Sequence, residues 1–326
     1  MPLNLKLDYK ITILLATHNR SHLIGQTLDS IMAQTYENWE CLIVDDYSSD
    51  RTCDIVKQYQ GKDSRFFYFH KNRDYRKGLS GTRNQGLDIA KMRGAKFIQF
   101  VDDDDVMHPQ MVEVSVEALL NKPQYDFCHF NKKSFVESVP EMEFISSSGN
   151  FYEIGFNQIE QVLTNKIPMA SCTVLWKEKC FRNIGFNEFL EYAEEWECYS
   201  RILFAGHSGI GIHKTLYYNR KHADSNTGEF WRGKSTMKAS KVKAAKLIVE
   251  NLRLNNLLSF SFIRYFIQLG IFLKDPTMVE YVLQKSNAGL YVRTKYMALY
   301  KFYPVVEILY RLRKKARTSI FINERK

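Results

Sequence analysis

The sequence predicts an α/β protein: a mostly parallel central sheet flanked by helices, followed by a C-terminal helical region. Three observations predict it. Short apolar runs alternate with segments of helical spacing through the first 105 residues. Three of the four runs stop abruptly at polar or acidic clusters. Beyond Phe230 the strand pattern disappears and a basic helical pattern replaces it. Strands joined by helices with short connections imply right-handed crossovers and parallel pairing.

Ile11 to Ala16 is a short β-type run, and Thr17-His18-Asn19-Arg20 follows it. Ser21 reads as a helix N-cap, with Leu23, Ile24, Leu28, Ile31 and Met32 at helical spacing behind it. Trp39 to Val44 is a second strand that ends in Asp45-Asp46. Asp50 to Tyr59 reads as a helix, Arg65 to Phe69 as a third strand and Thr82 to Met92 as a third helix. Lys96 to Val101 is a fourth strand, closed by the four aspartates Asp102 to Asp105. Further on, the pattern predicts helices near 109–121 and 194–205 and strands near 125–136, 170–176 and 214–220. Lys234 to Leu254 is basic and amphipathic, and Leu257 to Leu273 is largely apolar. We expect a catalytic domain over 1–228 and a basic, mainly helical region over 229–326, divided near Gly228.

Composition narrows the class. The chain has 326 residues and is 45% hydrophobic, enough for a real core and too apolar for a disordered chain. Met1 to Lys10 is charged and has no apolar signal core, and no stretch of uncharged apolar residues is long enough to span a bilayer. The six cysteines form no CxxC pair and no zinc spacing, which reads as thiols in a reducing compartment. Charge is unevenly placed. Residues 1–228 carry 26 basic and 30 acidic side chains, whereas 229–326 carry 20 basic and 6 acidic. The basic character therefore belongs to the last third, where it can attract an anionic partner.

In a parallel sheet, ligands bind beyond the carboxyl ends of the strands, and the polar clusters fall at those ends. Four adjacent aspartates repel one another unless something neutralises them, and hard oxygen ligands suit Mg²⁺ or Mn²⁺. Asp45-Asp46 can accept hydrogen bonds from a base N–H or a ribose hydroxyl. Gly78 to Asn84 reads as a flexible turn entering a helix, favourable to anions, with Arg83 as a cation. Tyr192 to Glu197 opens an amphipathic helix with acids. There, one carboxylate serves as a general base if it faces a cleft, or the acids merely favour the helix N-terminus.

Taken together, Ala-Thr-His-Asn-Arg, Val-Asp-Asp-Tyr-Ser-Ser-Asp, Gly-Leu-Ser-Gly-Thr-Arg-Asn-Gln-Gly-Leu and Phe-Val-Asp-Asp-Asp-Asp resemble glycosyltransferase family 2, from about Ile11 to about His222. The resemblance implies a GT-A fold and inverting, metal-dependent transfer of a sugar from a nucleotide-sugar, a UDP-sugar foremost, to a hydroxyl of a glycan or lipid-linked acceptor in cell-surface polysaccharide biosynthesis. It implies Thr17, Asn19 and Arg20 at the nucleotide pocket, Asp46 on the base and Asp45 supporting it. Arg83, Asp102, Asp103 and Asp105 would be on the nucleotide or donor, and Asp104 on Mn²⁺ or Mg²⁺ with Asp102 in reach of the metal's surroundings. Glu195 falls where the catalytic base lies, with Glu194 as its rival, and Tyr218, Arg220 and His222 match a segment that covers the diphosphate. Three positions depart from the pattern: His18 stands for the commoner Tyr, Glu195 for the expected Asp, and His70 to Lys77 is unusually basic.

Aromatic and basic residues alternate from Tyr291, Arg293, Lys295, Tyr296, Tyr300, Lys301, Phe302 and Tyr303 to Arg311, Arg313, Lys314, Lys315 and Arg317. The readings there are a helix resting on an anionic membrane surface, or a packing or oligomerisation region. The expected location is cytoplasmic, peripheral to the inner membrane face, with no nucleic acid as partner. Two rival readings are a nucleotidyltransferase that makes the sugar-nucleotide, and a basic nucleic-acid-binding protein. The acidic balance of residues 1–228 opposes the second.

Overall fold

The computed structural model describes residues 9–302, apart from 148, 223, 224, 287, 288, 290, 292 and 299. Tyr303 and the basic residues from Arg311 to Arg317, expected at a membrane or packing surface, lie outside the described residues. The described residues fall into two compact units that divide between Lys241 and Val242.

In the first unit β1 (Ile11–Thr17), α1 (Ile24–Met32), β2 (Trp39–Asp45), α2 (Thr52–Lys62), β3 (Phe66–His70), α3 (Leu79–Met92) and β4 (Phe97–Asp102) follow the alternation read from the sequence. Next come β5 (Val106–Met107), α4 (Met111–Leu120), β6 (Phe127–Phe135), β7 (Phe151–Ile154), α5 (Ile159–Leu163), β8 (Val174–Lys177), α6 (Glu194–Phe204), β9 (Gly209–Arg220) and α7 (Asn226–Trp231). Among the described residues all nine strands form one sheet, in the order β3-β2-β1-β4-β8-β6-β9-β5, with β7 on β9. The β3-β2-β1-β4 half is parallel; β8 runs antiparallel to both β4 and β6, and β9 is parallel to β6.

This topology decides where chemistry can sit. Thr17 lies opposite Asp45, and Ala16 opposite Asp102, so three strands end in one row. Two reversals, at β8 and again at β6, bring the last residues of β9 to the same rim, and the start of β8 points there too. Ile11, Ile13, Leu15, Cys41, Ile43 and Phe97 are buried along the strands, and α1 covers them with Ile24, Leu28 and Ile31. Those three recur at helical spacing and form the apolar face that drives the docking.

Three local readings change. Ser21 does not cap α1: the helix starts at Ile24 without a side-chain cap, and the Ser21 N–H donates to Asp50 Oδ2 at 3.0 Å. Asp50 precedes α2 and accepts from the Thr52 N–H at 3.0 Å. The turn before α3 is shorter than expected, because the helix already begins at Leu79. Gly78, at φ 113°, makes the corner alone. That backbone region favours glycine. Gly81 lies inside the helix, where a Cβ would overlap the Arg76 carbonyl oxygen. Gly81→Ala is therefore expected to destabilise the chain by about 1–3 kcal/mol through overpacking, read as a lower denaturant midpoint.

Helix α8 (Ser235–Leu254) crosses the division between the units. In the second unit α9 (Phe260–Leu273) packs on α10 (Pro276–Lys285), where Gly270 admits Met278 and Val279 closely. The Asp275 carboxylate caps α10 by accepting from the Met278 N–H at 2.9 Å. Among the described residues no helix is long and apolar enough to cross a membrane.

Candidate active site

The rim of the sheet gathers the predicted residues into three linked groups. The first joins the loops after β1 and β2. The Asn19 N–H donates to Ser48 Oγ and the Ser49 N–H to Asn19 Oδ1, both at 2.8 Å, while the Asp46 N–H donates to the Thr17 carbonyl at 2.9 Å. Asn19 and Tyr47 both adopt left-handed φ values, 53° and 61°. For a bulky Tyr this is strain that the surrounding bonds must hold, a feature that concentrates at functional loops. Thr17 is buried at the strand end. Arg20 reaches Asp103 at 3.4 Å, and the His18 N–H donates to the same carboxylate at 3.3 Å.

The two acids at the end of β2 have separate jobs. Asp45 accepts from the Ser48 N–H at 2.8 Å and from the Tyr68 hydroxyl at 2.5 Å, so it braces the loop. Asp46 pairs with the fully buried ammonium of Lys71 and accepts from the Gly78 N–H at 2.7 Å. Lys71 belongs to the basic stretch His70–Lys77, and its pairing explains one of the extra charges there. Asp46 thus ties the end of β2 to the corner that opens α3.

The second group is built around Arg83. Its guanidinium is buried and donates to Asp102 Oδ1 at 3.0 Å, Glu194 Oε1 at 2.9 Å and Ser171 Oγ at 2.7 Å; Glu195 lies 3.6 Å away. Burial disfavours the charged form, but Asp102, Glu195 and Glu194 outweigh it and hold Arg83 above its ordinary pKa. The four-aspartate cluster and the acids of α6 are therefore parts of one site. Ala193 turns the chain into α6 through a left-handed N-cap, φ 64°. Glu194 is buried against Arg83, whereas Glu195 keeps a quarter of its side chain exposed. Burial pushes the Glu194 carboxyl up to about 7, against the pull of Arg83. Glu195 accepts from the Ser171 N–H at 2.9 Å and from its hydroxyl at 3.1 Å, which fixes the orientation of the carboxylate.

The third group joins the last two aspartates to the end of β9. Asp105 is buried and accepts from the Arg220 N–H at 2.7 Å. Arg220 donates from Nε to the Asp104 carbonyl at 3.1 Å, bonds Gln26 and stacks over Phe135. These bonds are internal and hold the aspartate turn in shape. Asp104 keeps a partly exposed carboxylate whose Oδ2 is 2.8 Å from His222 Nε2. Burial and the neighbouring Asp104 push the Asp103 carboxyl up to about 7. Burial, with Asp102 and Asp104, also raises Asp105. The acids gathered here outnumber the cations beside them, Arg20, Arg83 and Lys132, an arrangement that a hard divalent cation fits. Asp104 and His222 offer adjacent oxygen and imidazole donors for it.

Sequence reasoning missed Ser171, which lies before β8 in a stretch with no chemical pattern, and Lys132 on β6. The Lys132 ammonium stands in the field of Glu195, Asp102 and Asp105. It also missed Ser240 of α8. The Ser240 hydroxyl accepts from the Glu191 and Tyr192 N–H groups, both at 3.0 Å, and donates to the Tyr192 carbonyl at 2.8 Å. It thereby pins the loop that leads to Glu194 and Glu195.

A family model described as glycosyl transferase family 2 matches residues 12–178, just over half of the chain. Among curated proteins, glycosyltransferase GlyA of Streptococcus pneumoniae is 27% identical over 65% of this chain and 31% of its own length. A Campylobacter jejuni protein named GalNAc(5)-diNAcBac-PP-undecaprenol beta-1,3-glucosyltransferase is 27% identical over 55% of each chain. Escherichia coli WfaP, a UDP-Glc:alpha-D-GlcNAc-diphosphoundecaprenol beta-1,3-glucosyltransferase, is 28% identical over 73% of this chain and 90% of its own. The chain thus spans about a third of the Streptococcus relative and about half of the Campylobacter one. Among solved structures, S. aureus TarS 1-349 in complex with UDP-GlcNAc has a TM-score of 0.59 at 17% identity, covering 90% of this chain and 91% of that one. That likeness is one of fold, GT-A.

Proposed function

The chain belongs to glycosyl transferase family 2, and from that membership we propose that it transfers a sugar, with inversion, from a nucleotide-sugar to a hydroxyl of a lipid-linked glycan. A UDP-sugar is the favoured donor, since the WfaP relative is named for UDP-Glc and the TarS structure holds UDP-GlcNAc. Both the WfaP and the Campylobacter relatives are named for acceptors on diphosphate-linked undecaprenol. Polysaccharide assembly at the cytoplasmic face of a membrane is the setting that fits such an acceptor. The observation that carries the reading is Arg83 joining Asp102 to Glu194, with Glu195 alongside: a donor-side acid cluster and a candidate base share one buried cation.

The step divides as follows. Glu195 takes the proton of the acceptor hydroxyl. The oxygen forms its bond to the anomeric carbon, and the carbon–oxygen bond to the diphosphate breaks on the opposite face. Ser171 fixes the orientation of Glu195 throughout, and preorganised charge supplies much of the acceleration. Thr17, Asn19, Arg20 and Asp46 border the nucleotide, and Asp102 and Asp103 the donor. Asp104 and His222 would hold Mn²⁺ or Mg²⁺, which when bound neutralises charge on the departing diphosphate.

Titration of UDP and of UDP-sugars by calorimetry, with and without Mn²⁺, tests this directly. Metal-dependent binding is expected, and no binding of any nucleotide-sugar in either condition would overturn the reading. Asp104→Ala is expected to remove the metal dependence of binding together with transfer. Unchanged metal dependence in that variant would place the cation elsewhere. If the acceptor is on a membrane, the full chain should float with vesicles containing anionic lipid and not with neutral ones.

A further inference from the structure

Three metal-ligating side chains meet at the end of the sheet opposite the active rim. A carboxylate oxygen of Asp126, the Cys180 sulfur and a ring nitrogen of His207 lie within 4.8 Å of one another. They come from three distant segments, so no spacing in the sequence shows them. Asp126 precedes β6, Cys180 lies in the short 3-10 turn Glu178–Phe181 after β8, and His207 sits between α6 and β9. The backbone of Asp126 joins the three. Its N–H donates to the Ser208 carbonyl at 2.6 Å, and its carbonyl accepts from the Lys177 N–H at 2.7 Å. Gly206, at φ 88°, turns the chain out of α6. Gly209 pairs with Phe127, and a Cβ there would overlap the Phe127 ring. That close approach lets β9 start against β6 and carries His207 to Asp126. Asp126 is 7% exposed and Cys180 1%. Asp126 Oδ2 is 2.7 Å from His207 Nδ1. Its Oδ1 pairs with the exposed Lys179 ammonium at 2.5 Å, in a geometry that makes no hydrogen bond.

We propose that Asp126, Cys180 and His207 form a zinc site, with one carboxylate oxygen, one thiolate and one imidazole nitrogen on the ion and water in the fourth position. Thiolate and imidazole are the donors that Zn²⁺ takes and that Mg²⁺ does not. Zinc bonds of about 2.0–2.3 Å set ligand atoms roughly 3.3–3.8 Å apart, so side-chain shifts of about 1 Å bring these three onto one ion. On binding, the Cys180 thiol gives its proton to solvent and leaves its 3.8 Å contact with the Asp126 carbonyl. The imidazole ligates in its neutral form. Lys179, on a flexible stem at the surface, swings away from Asp126. The His207 side chain is 21% exposed, which gives the ion and its water a path in. Bound zinc clamps the starts of β6 and β9 to the segment that follows β8. The inference is independent of the proposed transfer reaction, because Asp104 and Glu195 stand at the other end of the sheet.

The test uses the full chain, stripped with a chelator and returned to buffer with excess Mg²⁺, which occupies sites made of oxygen donors. Calorimetric titration with Zn²⁺ should show one zinc bound per chain. Co²⁺ in its place should give a thiolate-to-cobalt charge-transfer band. Cys180→Ser and His207→Ala should each weaken zinc binding by more than about 100-fold, since disturbing a partner outside the ligands already costs about 10–100-fold. Cys180→Ser should also lose the band, whereas Asp104→Ala should keep it, which separates this site from the donor site. Lys179→Ala should bind zinc more tightly than the wild type, because a competing cation is gone. Zinc should raise the thermal midpoint of the wild type and not that of Cys180→Ser. Circular dichroism checks each fold, and His207→Ala, which alters a partly exposed side chain, carries the test if Cys180→Ser does not fold. The proposal is overturned if the wild type binds no zinc. It is equally overturned if Cys180→Ser or His207→Ala binds zinc as tightly as the wild type; the three groups would then be only part of the Lys179 ion-pair network.

Discussion

Replacing Glu195 with Gln is expected to lower sugar transfer by about 10²–10⁴-fold, the range a positioned general base contributes, while nucleotide affinity stays at the wild-type level. The amide preserves the side-chain length and can still bond the Ser171 N–H, so the loop keeps its shape. What it loses is the ability to accept the proton of the acceptor hydroxyl. Single-turnover transfer measured beside UDP calorimetry separates the two. A variant that turns over normally would remove Glu195 from the reaction. The matched substitution Glu194→Gln is the control that distinguishes the two neighbouring acids. Glu194 is buried against Arg83 with its carboxyl pushed up to about 7, so it is placed to set the position of the guanidinium. Its amide should cost stability and, through Arg83, some rate, but not the full effect of losing the base.

The rim was legible in the sequence because two of its strands, β2 and β4, switch from apolar to acidic within one residue. Val44 precedes Asp45 and Val101 precedes Asp102, and in a parallel sheet such ends must share an edge. The two-residue β5 and the four-residue β7 were not legible, since neither is long enough to show an alternation. Ser21 had the chemistry of a cap, but Asp50 from a distant loop takes its N–H, a tertiary bond that local patterning cannot see. The early start of α3 depends on the φ of Gly78, which composition does not reveal. Arg83 was visible as a cation near a turn; that it binds Asp102 and Glu194 was not, because those partners lie 19 and 111 residues away. That Glu194 is buried while Glu195 stays partly exposed was not legible either, since α6 is entered through the left-handed Ala193.

Arg83→Met is expected to be the most damaging single change in the chain. It leaves Glu194 buried without its cation, and removing one partner of a buried pair typically costs about 3–5 kcal/mol. Asp102 and Ser171 lose a donor at the same time, so the mouth of the site loses its shape as well as its charge balance. A denaturant melt should show the loss of stability, and activity should vanish even at temperatures where the variant remains folded. Arg83→Lys separates the two effects. It restores the charge, so much of the stability should return, but a single ammonium cannot reproduce the planar fork that serves Glu194 with one nitrogen and Asp102 and Ser171 with the other. Transfer by Arg83→Lys should therefore remain far below wild type. If the lysine restored activity in full, Arg83 would be only a counter-charge for the acids, and the geometric link between the donor aspartates and Glu195 would have no part in catalysis.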